Sequence, residues 1–188
     1  MVAGRHGEAL FEFLEHAVAV PTEAARAYTR AAQALGLCGM RDGPIRDRLR
    51  AYLPADQLRD ASDEMTAAFR AAFDAMGDEP PADAFWDPSS AIIELYRRAL
   101  AATPDYFLAL RGLALCLPPE NPERLRLLQR AVQQRLDPLA VVALGGHYEN
   151  GGQPEKARRL YEQAAIEHPN DMDIQIALQR VPSSKGQP

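Results

Sequence analysis

Glu12 and His16 stand four residues apart, a spacing that places a carboxylate and an imidazole on one helix face, where both could ligate a metal. A metal site built between helices needs more: several inward carboxylates and a second histidine-bearing helix. No matching pair follows in the chain, so surface or capping roles are expected for both residues, with no metal and no cofactor. His147 and His168 read as structural, His168 at a helix end where the dipole favours a cation. Cys38 and Cys116 make neither metal-ligand spacing nor a disulfide framework, and Cys116, inside a helical pattern, is expected to be buried and inert. The sequence shows no nucleophile elbow and no phosphate-cradling glycine loop. Packing and a turn account for Gly145-Gly146 and Gly151-Gly152. No residue is assigned to catalysis.

Two further features invite a binding role. Arg41, Arg46, Arg48 and Arg50 could meet nucleic acid, but Asp42 and Asp47 interrupt them and only Tyr52 offers a stacking ring nearby. A solvated amphipathic face is the expectation. Trp86, the sole tryptophan, lies in a proline-rich stretch; it could anchor a partner, or plug the exposed face of the helical region that follows.

The chain has 188 residues, 47% of them hydrophobic and 25% charged, the balance of a folded domain with one core. Its net charge of −5 disfavours non-specific nucleic-acid binding. Lys156 and Lys185 are the only lysines, an arginine- and alanine-heavy usage that reflects genome composition. No apolar run approaches the ~18 residues of a transmembrane helix. The N-terminus carries acids within its apolar stretch, unlike a signal peptide. A reducing cytoplasm is the expected location.

No run alternates as a strand does, so the elements that must position these residues are helices. Phe11, Leu14 and Ala17-Val18 share one face, and Pro21-Thr22-Glu23 opens the next helix. Glycines at 36, 39 and 43 break the pattern, and helices are expected at about 44–52 and 55–76, the latter with Leu58, Met65, Phe69 and Phe73. The division that follows is a helical N-terminal region 1–76, a linker 77–88, repeats with a closing helix 89–181, and a disordered tail 182–188. Ser89 or Ser90 caps the first helix of the repeats.

The strongest pattern is Val141-x2-Leu144-Gly145-x2-Tyr148, then Ala157-x3-Tyr161-x2-Ala164, then Pro169. Leu144 and Tyr148 share a helix face, and Gly145 and Ala157 are small where two backbones approach. Gly151-Gly152 stops the first helix and Pro154 opens the second. Asn170-Asp171 can cap a further helix over 173–181. Upstream, Leu110-x2-Leu113-Ala114-x2-Leu117 and Leu128-x2-Ala131 copy the two halves, and Tyr96-x2-Ala99 copies the end of an earlier one. Ala99, Ala131 and Ala164 fall 32 and 33 residues apart. The middle copy is two residues shorter through Pro118-Pro119-Glu120-Asn121-Pro122, so its second helix should start at Pro122 or Glu123.

Residues 90–181 therefore resemble the tetratricopeptide repeat family, whose helix–turn–helix units recur at about 34 residues. Val141 departs from the tryptophan most often found at that place. The resemblance implies an all-α fold, an α-solenoid of antiparallel helix pairs coiling as a right-handed superhelix, with the N-terminal helices as degenerate repeats or a cap. It also implies that the first helix of each unit lines a concave groove that grips a peptide or partner helix. Carried onto this chain, the groove residues are Leu108, Arg111 and Leu115; Leu139, Val142, Gly146, Glu149 and Asn150; and Asp173, Ile176 and Arg180. Val142 and Gly146 stand where chaperone-binding members place clamp residues for a terminal carboxylate, so the groove suits an apolar segment better. The expected partner is a protein or peptide, not nucleic acid or membrane, and the expected role is an interaction scaffold. Three alternatives stay open: N-terminal helices covering the groove, an N-terminal ligand-binding, metal-binding or catalytic module recruited by the repeats, and homo-oligomeric self-assembly.

Overall fold

The computed structural model describes residues 2–38, 43–54, 56, 58 and 89–181, and no strand occurs among them. The described helices are α1 (Val2–Ala19), α2 (Ala24–Cys38), α3 (Gly43–Leu49), α4 (Ser89–Ala102), α5 (Phe107–Cys116), α6 (Pro122–Gln134), α7 (Pro138–Asn150), α8 (Pro154–Glu167) and α9 (Met172–Arg180). The chain divides into two compact units, 1–104 and 105–188.

In the first unit a short 3₁₀ turn, Pro21–Glu23, joins α1 to α2. Leu10, Phe11, Leu14 and Ala17 form the buried face of α1. Alanines at 24, 25, 27, 31, 32 and 34 bury most of α2, because α1 packs on one side of it and α4 on the other. Gly36 of α2 comes close to Ile92 of α4. Thus α4, grouped with the repeats in the sequence reading, belongs by its packing to the first unit, through buried Ala91, Leu95, Tyr96 and Ala99.

The arginine run is largely the solvated amphipathic face expected of it: Asp47, Arg48 and Arg50 are exposed while Ile45 and Leu49 are buried, but its cations also make specific contacts. The Arg48 guanidinium stacks 3.7 Å from the centre of the Phe11 ring. Arg46 is half-buried and donates to the Leu58 carbonyl at 2.9 and 3.2 Å, while Arg50 pairs with Asp47. A planar cation can cover an aromatic face while its nitrogens stay wet, which the charge pattern alone does not reveal. The helix expected at 44–52 ends at Leu49 and gives way to a turn. Arg41, Gly39, most of the helix expected at 55–76, the linker with Trp86, and the tail 182–188 lie outside the described residues.

The second unit is a series of hairpins, α5 on α6 and α7 on α8, closed by α9. Its starts and stops follow local chemistry. Proline opens α6, α7 and α8, where the missing N–H has no intrahelical partner to lose. Asn121 caps α6 by accepting from the Glu123 N–H at 2.8 Å, and Asp137 caps α7 by accepting from Ala140 at 3.2 Å. Asp171 caps α9 by accepting from the N–H groups of Asp173 and Ile174, both at 3.1 Å. Each such cap contributes about 1 kcal/mol. Gly152 adopts φ +68°, the left-handed backbone the α7–α8 turn requires.

The core alternates small and large residues: Ala109, Leu110, Leu113 and Ala114 from α5; Leu127, Leu128 and Ala131 from α6; Ala140, Val141, Leu144 and Gly145 from α7. Ala157, Leu160, Tyr161 and Ala164 of α8 continue it. Ile174, Ala177 and Val181 cover the last edge, as the closing helix was expected to do. Cys116 differs from expectation: it lies in the last turn of α5 and is exposed. What shelter its thiol has raises its pKa.

Candidate functional site

The eleven residues assigned to the groove all lie in the second unit, on α5, α7 and α9. The spacing 108, 111, 115 keeps three positions on one face of α5, and 173, 176, 180 does the same on α9. The aliphatic members are available: Leu115 is 41% exposed, Leu139 52% and Ile176 53%, while Leu108 and Val142 are half-buried. Exposed leucine and isoleucine at groove-assigned positions of three helices are not explained by the core, which is filled by the opposite faces.

Gly146 opens this surface. A Cβ built there would meet nothing within 4 Å, whereas one built on neighbouring Gly145 would collide with the Tyr161 ring. The two glycines thus do opposite things: Gly145 lets α8 approach, and Gly146 leaves space. That space belongs to a cleft of about 490 Å³ lined by Pro119, Glu120, Arg124, Val142, Ala143, Gly146, His147, Asn150 and Gly151. The cleft joins three of the assigned residues, Val142, Gly146 and Asn150, to the α5–α6 turn and the start of α6. Sequence reasoning missed Arg124 and His147 as cleft residues. The helical spacing of His147 from Ala143 was the available signal, but the contribution of Arg124 depends on how the short α5–α6 turn folds over.

Three of the polar members, Arg111, Glu149 and Arg180, are tied into the fold. Arg111 donates through Nη1 to Asp137 Oδ2 at 2.8 Å, linking α5 to the cap of α7. Arg180 grips Glu149 with two hydrogen bonds, Nε to Oε2 at 2.8 Å and Nη2 to Oε1 at 2.7 Å. The Tyr161 hydroxyl donates to the same carboxylate at 2.6 Å. Glu149, Tyr161 and Arg180 therefore clasp α7, α8 and α9 together. The Arg180 hydrogen bonds, with help from Tyr161, hold the Glu149 carboxyl below its ordinary range. Burial, then the hydrogen bond to Glu149, pushes the Tyr161 phenol upward. Asn150 and Asp173 are exposed, and Asp173 is in no ion pair among the described residues.

A second hollow, about 360 Å³, lies in the first unit beside Glu12, Phe13, His16, Glu23, Arg26, Ala27 and Arg30. His16 Nε2 lies 3.1 Å from Glu23 Oε2, so the histidine considered as a ligand has a carboxylate neighbour on the next element. Among the described residues no group of three potential ligands is placed to hold a metal. No described helix is long and apolar enough to cross a membrane.

The hairpin α7–α8 with its closing helix carries the small–large register, the turn and the caps of one repeat. A family model described as tetratricopeptide repeat matches residues 138–181, which span that hairpin and α9. This segment is a tetratricopeptide repeat. Tetratricopeptide repeats bind protein partners, so the segment is a protein-interaction unit in general terms. No curated protein matches the chain. Among solved structures, MamA AMB-1 is 18% identical with a TM-score of 0.45, covering 93% of this chain and 85% of that one. MamA MSR-1 is also 18% identical, with a TM-score of 0.44 over 93% of this chain and 83% of that one. A mutant of MamA gives 17% and 0.44, over 95% and 86%. At that identity and TM-score they say nothing of this chain's partner.

Proposed function

We propose that the chain is a non-enzymatic interaction scaffold whose tetratricopeptide unit captures an apolar peptide segment or helix on the face formed by α5, α7 and α9. The observation that carries this reading is the combination of exposed Leu115, Leu139 and Ile176 with the open cleft at Gly146. Burying such side chains against a partner contributes roughly 1.5–3 kcal/mol each when complete. The ion pairs Arg111–Asp137 and Glu149–Arg180 give the face a fixed shape rather than free charges, so recognition is mainly apolar, with Asn150 and Asp173 setting polarity at the rim. Rigid presentation also limits the ordering cost of binding.

Selection from a displayed random-peptide library tests this. Selected peptides should be rich in aliphatic or aromatic residues, and Leu115→Glu or Val142→Glu should reduce their binding at least tenfold while far-ultraviolet circular dichroism stays native. Selected peptides that bind both variants as tightly as the parent would remove the assignment.

A further inference from the structure

The α8–α9 turn carries the two most exposed large apolar side chains of the second unit: Ile166 is 81% exposed and Met172 74%. Neither contributes to the core, since α9 docks through Ile174 and Ala177 instead. Glu167 and Asp173 flank the pair; both are exposed and neither is in an ion pair among the described residues. The turn therefore presents an apolar knob with an acidic border.

The α7 cleft has the complementary character. Pro119, Val142, Ala143 and Gly146 give it an apolar lining, with Arg124 and His147 beside them and Glu120 at the turn. Arg124 donates to the Leu117 carbonyl at 2.8 Å and has no carboxylate partner among the described residues. The His147 ring lies edge-on to Tyr148, 6.4 Å between centroids, and has no hydrogen-bond partner among the described residues. Among the described residues, one cation and one imidazole ring are thus available to carboxylates of a partner.

Knob and cleft lie at opposite ends of the hairpins. The cleft includes Pro119 and Glu120 of the α5–α6 turn and Asn150 and Gly151 where α7 finishes. The knob is at the far end of α8, a helix of 14 residues, or about 21 Å at 1.5 Å per residue. A molecule cannot fill its own cleft with its own knob, but a second copy can. We propose that the α7 cleft is occupied by the α8–α9 turn of another copy of this chain, with Ile166 and Met172 seated over Gly146 and Glu167 and Asp173 facing Arg124 and His147. This rests on the reading of the cleft as a docking site and names its occupant. The contact is head-to-tail, leaving a free knob at one end and a free cleft at the other, so it propagates beyond a dimer, into an open chain or a closed ring according to its rotation.

Sedimentation velocity on the full chain over a micromolar to millimolar series tests it, a range suited to a small interface. The parent should shift continuously to species larger than a dimer as concentration rises. Ile166→Lys with Met172→Lys removes the knob and neutralises its border; Gly146→Glu fills the cleft at a position with room for a side chain. Each variant alone should stay monomeric with unchanged circular dichroism. An equimolar mixture should form a dimer and nothing larger, because one intact knob meets one intact cleft. A parent that stays monomeric throughout, assembly that survives either variant, or a mixture that stays monomeric overturns the proposal. If library-selected peptides still bind a monomeric parent through Leu115 and Val142, the docking face stands and only self-docking falls.

Discussion

Where the first helix of a hairpin crosses its second, the α5–α6 hairpin has Ala114 and Leu128 at the register positions that α7–α8 fills with Gly145 and Tyr161. All four are buried. One pair is small with medium, the other smallest with largest, so the two hairpins keep a similar total bulk by opposite choices. The difference is more than steric. Leucine ends in methyls, whereas tyrosine carries a hydroxyl through the contact to Glu149, and Glu149 in turn holds Arg180 of α9. The α7–α8 hairpin is followed, among the described residues, by the single helix α9, while the α5–α6 hairpin is followed by another complete hairpin. A repeat register fixes which positions are small and large, and a polar group added at one of them ties the following helix to the hairpin.

Gly145→Ala gives the largest expected effect on that comparison. The new methyl collides with the Tyr161 ring, and overpacking of this kind costs about 3 kcal/mol, seen as a fall in the urea midpoint. In a Tyr161→Leu background, which copies the middle hairpin, the same change should be neutral or stabilising by up to about 1 kcal/mol, since alanine is the better helix former. A cost that persists without the tyrosine would mean that the two hairpins are not equivalent.

Tyr161→Phe should have a smaller effect, about 1 kcal/mol for one hydrogen bond, and should loosen α9, raising amide exchange over 172–180. No counterpart exists at Leu128. The smallest effect is on pH dependence. The Glu149 pKa is lowered in the folded chain, so its contribution is present above the ordinary carboxylate value of about 4.3 and is lost as pH falls through and below it. The Tyr161 pKa is raised, so its contribution is present below about 10 and is lost as pH climbs above that. Arg180 is largely exposed, so solvent screening keeps the carboxylate term below about 1 kcal/mol. Comparing Glu149→Gln with the parent between neutral pH and about pH 3 should show the stability gap closing as pH falls.

Much of the second unit was legible because its signals are local. Gly145 and Ala157 gave the close approach, Gly151-Gly152 the turn, Pro154 the next start and Asp171 the last cap. Pairings across long separations were not legible. Glu149 and Arg180 are 31 residues apart and Arg111 and Asp137 are 26 apart, and many carboxylates could have met each arginine. Cys116 misled because a helical position was taken as a buried one, although the end of a ten-residue helix has only one turn of cover. The placement of α4 on α2 depends on tertiary packing, and its Tyr96-x2-Ala99 spacing fits either neighbour. Of the candidate site, the aliphatic positions followed from the family register, whereas the cleft depends on the turn that brings Arg124 beside α7.

The central claim is that one face, running over α5, α7 and α9, receives the partner. Amide chemical-shift mapping of the labelled chain, titrated with a library-selected apolar peptide, tests it most directly. Shifts should cluster at Leu115, Leu139, Val142, Gly146 and Ile176 and vanish in Gly146→Glu. Shifts centred elsewhere, such as the hollow beside Arg26 and Arg30, with those five residues unmoved, would contradict it.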